Sequence, residues 1–139
     1  VKKKKKPSLS RLKKNAWKQF SEYVRKKSAD KDGFVSCITC GVKKHWKELH
    51  ASHLVPGRGN SILFDERGVY PACYACNIHK HGNLLAYIDF MILKHGATEA
   101  WLIIEDLKNL SRLPKKFTIE ELENLLEKYR SKNSQKATS

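Results

Sequence analysis

The chain contains no run of eighteen apolar residues, which argues against a membrane-spanning helix. Its basic start lacks the apolar core and small-residue cleavage site of a secretion signal, so none is read and an intracellular, reducing setting is expected. Acidic residues are scarce: 14 Asp and Glu face 28 Lys and Arg, for a formal net charge of +14. The shortage is sharpest in residues 1–31, where 13 Lys or Arg meet only Glu22 and Asp30, a net +11. Such a field favours a polyanion, either nucleic acid or an anionic membrane. No internal repeat is present. A chain of 139 residues suits one domain, but 40% apolar content is thin beside 30% charged residues, so a staple beyond the hydrophobic core is expected.

Three parts follow: a flexible basic arm over 1–8, one domain over 9–130, and a disordered tail over 131–139. The arm can be disordered when free and still contact phosphates when bound. Ser8 or Ser10 can cap a helix to about Lys27, with Leu9, Leu12, Ala16, Trp17, Phe20 and Val24 at helical spacing and a basic surface elsewhere. A helix lying on a membrane surface has a similar pattern. Short extended segments are expected at Phe34–Thr39, His50–Val55 and Val69–Tyr70, with a loop over Pro56–Asn60. Helices should cover Tyr74 to about His81, Asn83 to His95 before Gly96, and a stretch from about Thr98. A last helix should begin at Thr118, where Thr118 and Glu121 have capping-box spacing. The class is α+β.

Cys37-x-x-Cys40-Gly41 and Cys73-x-x-Cys76 are the strongest chemical signal. Two such pairs, 32 residues apart, can close a tetrahedral four-sulfur site, and zinc prefers that soft shell. Either pair alone could be a redox dithiol; together they point to structural zinc. With all four positions filled by protein, that zinc would not be catalytic. A zinc ribbon that only binds nucleic acid has the same signature, so the cysteines do not establish an enzyme.

Between and beyond the pairs lie His45, His50, His53, Asn60, Asn77, His79, His81 and Asn83. In a helix Asn77 and His81 share a face and can hold one divalent ion. His53 precedes a Pro-Gly loop, and an imidazole with a pKa of about 6.5 suits proton removal from water near neutrality. Arg58 or Arg67 could neutralise charge developing on a phosphate. His45 and His79 read as ordinary surface residues. Structural readings also exist for His53, as a hydrogen-bonded histidine, and for Asn77, as a helix brace.

The run His53…Cys73-x-x-Cys76-Asn77…His81 resembles the HNH, or ββα-metal, nuclease superfamily. More narrowly, Leu9 to Leu107 resembles the phage recombination proteins of the NinG/Rap family. The likeness is carried by the lysine-rich start, Cys37-Ile38-Thr39-Cys40-Gly41, His45-Trp46, Ala51-Ser52-His53 and Arg58. It continues through Phe64-Asp65-Glu66-Arg67, Cys73-x-x-Cys76-Asn77, Gly82-Asn83, Tyr87 and Gly96. The resemblance implies an HNH core with the four-cysteine zinc site, surrounded by added helices. It also implies DNA cleavage in phage recombination, in the host cytoplasm, with branched DNA among the substrates.

By that resemblance His53 matches the general-base position, and Asn77 and His81 match the last two metal-binding positions. Two departures stand out. Ser52 precedes the base where a ligand is usual, leaving His50, of the same strand parity, as a substitute. Gly68 stands where an asparagine usually braces the base-bearing loop, leaving Asn60 for that task. The expected activity is metal-dependent endonuclease cleavage of double-stranded or branched DNA, with Mg²⁺, Mn²⁺, Ni²⁺ or Zn²⁺ as the catalytic ion. Lys13, Lys14, Lys18 and Arg25 would hold the DNA backbone with Arg58 and Arg67. No membrane partner is expected, and a homodimer is one route to cutting both strands. A noncatalytic zinc-stapled DNA-binding module and a zinc-stapled protein- or RNA-binding adaptor are the alternatives.

Overall fold

A computed structural model describes residues 7–57 and 59–138. It begins with helix α1, Leu9–Lys26, capped where the Ser8 hydroxyl accepts from the Arg11 N–H at 3.2 Å. Leu12, Ala16, Phe20 and Val24 recur every four residues and form its buried stripe. Strands β1 (Phe34–Ser36) and β2 (Lys43–His45) make an antiparallel hairpin. Strands β3 (His50–His53) and β4 (Val69–Ala72) make a second, pairing His50 with Ala72 and His53 with Val69. Helices α2 (Leu84–His95), α3 (Ala97–Ser111) and α4 (Ile119–Thr138) follow. The architecture is α+β. Among the described residues no helix is long and apolar enough to cross a membrane.

Two apolar layers hold the β3–β4 hairpin. On one side α2 and α3 supply Tyr87, Met91, Ala100, Ile103, Ile104 and Leu107, which pack with Leu54, Ile62 and Tyr70. The buried Tyr87 hydroxyl donates to the carbonyls of Ser52 (2.7 Å) and Gly68 (3.3 Å), locking α2 to the ends of both strands. On the other side α1 and α4 meet around Val69, with Phe20 and Tyr129 edge-to-face at 5.0 Å between centroids. Losing a buried phenyl ring such as Phe20 would cost about 3–5 kcal/mol.

Several expectations need correction. The hairpin partner β2 was not foreseen, and β1 stops at Ser36. The helix expected over Tyr74–His81 is a single wide turn, Ala75–His79, closed by the Lys80 N–H on the Ala75 carbonyl at 2.9 Å. The residues expected to be a disordered tail continue α4 to Thr138. Asn133 is buried there and donates to the Gln19 carbonyl and side-chain oxygen, both at 2.9 Å, so α1 orders that stretch. Thr118 caps α4 through the Glu121 N–H at 3.1 Å, while the Glu121 carboxylate pairs with Lys115 instead of closing the capping box. Of the arm expected over residues 1–8, residues 1–6 lie outside the described residues.

Candidate functional site

The four cysteines converge from two tight turns. Cys37 follows β1, and its N–H bonds the Val42 carbonyl at 2.9 Å. Gly41 adopts φ +80, the left-handed conformation that the knuckle requires. Cys73 follows β4, Cys76 lies in the wide turn, and the Ile38 N–H on the Pro71 carbonyl (3.1 Å) binds knuckle to strand. The four Sγ atoms lie within 4.8 Å of one another, three of the cysteines buried and Cys40 exposed. All four are free thiols.

The donor set passes a test of fit. A zinc–thiolate bond of about 2.3 Å puts tetrahedral sulfurs about 3.8 Å apart. The Sγ atoms of Cys40 and Cys73 stand 3.7 Å apart. Burial opposes ionisation of Cys37, but the Thr39 hydroxyl and nearby backbone N–H groups outweigh it and bring the thiol down to about 6. For Cys40 the Val42 N–H favours the thiolate, but burial and the other sulfurs prevail and push it up to about 12. Cys76 is lowered: burial resists, while Thr39, Asn83 and the neighbouring thiols favour its charge. The cluster favours some thiolates and resists having all four unless a cation joins them. It is a candidate structural metal site.

Beside this cluster opens a groove of about 620 Å³ lined by His50, His53, Asn77 and His81, with Trp17 and Arg25 from α1. His53 ends β3. Its Nε2 lies 3.1 Å from the Leu63 carbonyl, and its ring stacks on Trp17 at 5.4 Å and 18°. A carbonyl can only accept, so this contact places the proton on Nε2 and leaves the neutral ring's lone pair on Nδ1. His50 Nδ1 accepts from Asn77 Nδ2 at 3.0 Å. Asn77 is one residue beyond Cys76, so the knuckle sets its position directly. His81 reaches the groove from a turn at φ +50, not from the helical face shared with Asn77 that its spacing suggested. Among the described residues, the cysteine cluster is the one group of three or more His, Cys, Asp or Glu close enough to share an ion.

Ser52 and Gly68 have structural reasons to be small. Ser52 is buried beneath α2, outside the groove lining, and its Oγ has no hydrogen-bond partner among the described residues. A Cβ on Gly68 would stand 2.6 Å from Leu107 Cδ1, so α3 occupies the space an asparagine would need. Asn60 donates to the Lys115 carbonyl at 3.0 Å, which fastens its loop to the approach to α4 and not to His53.

The expected phosphate ligands divide. Arg67 is held at 2.7 Å by both Asp65 and Asp106 and lines a different hollow. Asp65 first and Asp106 second raise its pKa further, and the two carboxylates cancel its charge. Lys14, Lys18 and Arg25 line a second groove of about 450 Å³ with Arg11, and it shares Trp17, Ser21 and Arg25 with the first. Lys13 lines a separate hollow with Ser10, Trp17 and Leu63. Arg58 lies outside the described residues. Trp17 was read only as part of the apolar stripe; its place in a helix of basic residues was the available signal that it also serves a surface.

The family model described as "Bacteriophage Lambda NinG protein" matches residues 1–138. A "Protein ninG" of Escherichia phage 933W is 32% identical over 117 residues, covering 83% of this chain and 55% of that protein. The proteins of the same name from Escherichia phage lambda and Salmonella phage P22 are 31% and 28% identical over 117 residues, each covering 83% of this chain and 54% of the relative. The chain therefore spans about half the length of the curated relatives it matches. No solved structure matches.

Proposed function

The chain belongs to the NinG family, and from that premise we propose that it is a metal-dependent DNA endonuclease of the HNH kind, acting in phage recombination on double-stranded or branched DNA. The observation that carries this reading is the groove. His53, with its proton held on the side of the Leu63 carbonyl, lines the same groove as His50, Asn77 and His81. The β3–β4 hairpin and the turn bearing Asn77 then correspond to the two strands and the metal-binding helix of a ββα-metal core.

His53 Nδ1 takes a proton from the attacking water. The Leu63 carbonyl stabilises the imidazolium that forms, and Trp17 holds the ring's plane. General-base assistance of this kind is worth about 10²–10⁴ in rate. His50, Asn77 and His81 would hold the catalytic ion once the Asn77 Nδ2–H releases the His50 Nδ1 lone pair that it occupies. Their two imidazoles and one amide fit a borderline divalent ion with open coordination positions, and do not choose among Mg²⁺, Mn²⁺, Ni²⁺ and Zn²⁺. When bound, such an ion supplies Lewis-acid stabilisation of the phosphate and the leaving oxygen. In this reading the four cysteines hold structural zinc, which fixes Asn77 through Cys76. The basic face of α1 binds backbone phosphates without reading sequence. A homodimer would place two such grooves on one substrate and cut both strands.

A second reading, a noncatalytic DNA-binding module, is favoured by one observation. Ser52 is buried and Gly68 is covered by Leu107, so neither position offers the groove a ligand. A nicking assay on supercoiled and branched DNA separates the two. It compares intact protein with His53→Ala across the four metals, with a chelator control. Metal-dependent cleavage that disappears in a folded, DNA-binding His53→Ala variant supports the enzyme; tight binding without cleavage under every condition supports the module.

A further inference from the structure

Arg67 and Arg25 have opposite surroundings. Two carboxylates neutralise Arg67, whereas Arg25 has no ion-pair partner among the described residues; Glu22, the nearest acid in sequence, pairs with Lys26 at 3.8 Å. Arg25 is nevertheless half-buried and fixed. Its Nε donates to the carbonyl and hydroxyl of Ser21 at 3.1 and 3.2 Å, and Nη1 donates to the Trp46 carbonyl at 3.3 Å. Its guanidinium lies 5.2 Å from the centroid of the Trp46 ring. All of these partners are neutral. Burial, the larger influence, lowers its pKa and Glu22 only partly offsets this, yet an arginine keeps its charge at any physiological pH.

Holding a positive charge part-way out of water without a counter-ion is costly, and an anionic ligand removes the cost. The position of Arg25 points to that ligand. At roughly 3.6 residues per turn, Arg11, Lys14, Lys18 and Arg25 fall within about 60° of arc on α1. They line one groove, and Arg25 also lines the other, with His53 and Asn77. The backbone track therefore runs into the histidine groove at Arg25. A guanidinium has five N–H donors; the contacts above use the Nε–H and one Nη1–H, which leaves the outer edge for two oxygens of a phosphate.

We propose that Arg25 is the clamp for the scissile phosphate, donating to its non-bridging oxygens as charge builds there, while Lys14 and Lys18 contribute affinity alone. This rests on the nuclease reading but makes α1, outside the strands and turn of the core, part of the catalytic site. Because Ser21 and Trp46 fix the guanidinium in advance, little reorganisation is needed when charge develops.

The test has two arms. In the first, Arg25→Gln, Arg25→Lys and Lys18→Ala are compared for single-turnover cleavage of branched DNA and for equilibrium binding with chelator present. The expected result for Arg25→Gln is cleavage slower by about 10²–10³, with binding weakened about threefold or less. Arg25→Lys, which keeps the charge but loses the fork, should recover only a small part of the rate. Lys18→Ala should weaken binding. An Arg25→Gln variant that cleaves at the intact rate when bound, or an Arg25→Lys variant with full rate, overturns the proposal.

The second arm does not require cleavage. The Arg25 Nε–H resonance of the intact protein is followed by NMR as a thymidine dinucleotide, which carries one phosphodiester, is added. A saturable shift absent with uncharged thymidine supports the clamp even if no condition yields cleavage. No shift at saturating dinucleotide overturns it.

Discussion

The cysteine cluster and the histidine groove are neighbours built on different plans. Each half of the cluster is local: Cys37 with Cys40, and Cys73 with Cys76, are set by one turn apiece, and the hydrogen bond from the Ile38 N–H to the Pro71 carbonyl helps join them. The groove instead collects Trp17 and Arg25 from α1, His50 and His53 from β3, and Asn77 and His81 from the segment after Cys76. The cluster can satisfy all its ligands internally, whereas the groove gathers three histidines with a guanidinium that has no ion-pair partner among the described residues. A site that closes on itself serves folding; one left incomplete serves a ligand. Cys76 of the cluster directly precedes Asn77 of the groove, so disrupting the cluster should disturb the groove, while the reverse should not hold.

That asymmetry can be tested at several strengths. The largest effect should follow Cys73→Ser or stripping with a strong chelator. Structural zinc in small domains contributes about 10–16 kcal/mol of apparent binding energy. The expected result is loss of cooperative thermal unfolding, with DNA binding and cleavage lost together. A cysteine variant that melts like the intact protein would break the comparison.

His53→Ala should act on one side only. Cleavage should fall by about 10²–10⁴, with bound zinc unchanged by atomic absorption and melting little altered. Gly68→Ala tests packing behind the groove. The added methyl meets Leu107, so chemical denaturation should show a loss of about 1–3 kcal/mol. The double change with Leu107→Ala should cost less than the sum of the two. The smallest expected effect is that of Lys14→Ala or Lys18→Ala. Each should reduce the slope of log binding constant against log salt by about 0.9 if it neutralises one phosphate of duplex DNA, leaving melting unchanged.

How much of this was legible in the sequence followed the same division. The cysteine pairs, the α1 stripe, Gly96 between α2 and α3, and the Thr118 cap are local patterns, and each could be read directly. β2 could not, because Lys43-Lys44-His45 shows no apolar alternation and the hairpin depends on the knuckle. The polar end of α4 also lacked a signal, since its order comes from Asn133 bonding Gln19 across the helix pair. The turn at 75–79 imitated a helix because the sequence does not reveal that His81 leaves the helical path. The roles of the arginines were the hardest to read. Nothing near Arg67 in sequence announces Asp106, and nothing near Arg25 announces Trp46. The types and spacing of His50, His53, Asn77 and His81 mark them as candidates in the sequence, and all four line one groove.

The most direct measurement is single-turnover cleavage of branched DNA by zinc-replete His53→Ala, with and without added imidazole. Loss of cleavage with unchanged DNA affinity, and partial recovery with imidazole, is the result expected if His53 is the base and the groove carries the chemistry. Cleavage at the intact protein's rate without imidazole would contradict that claim.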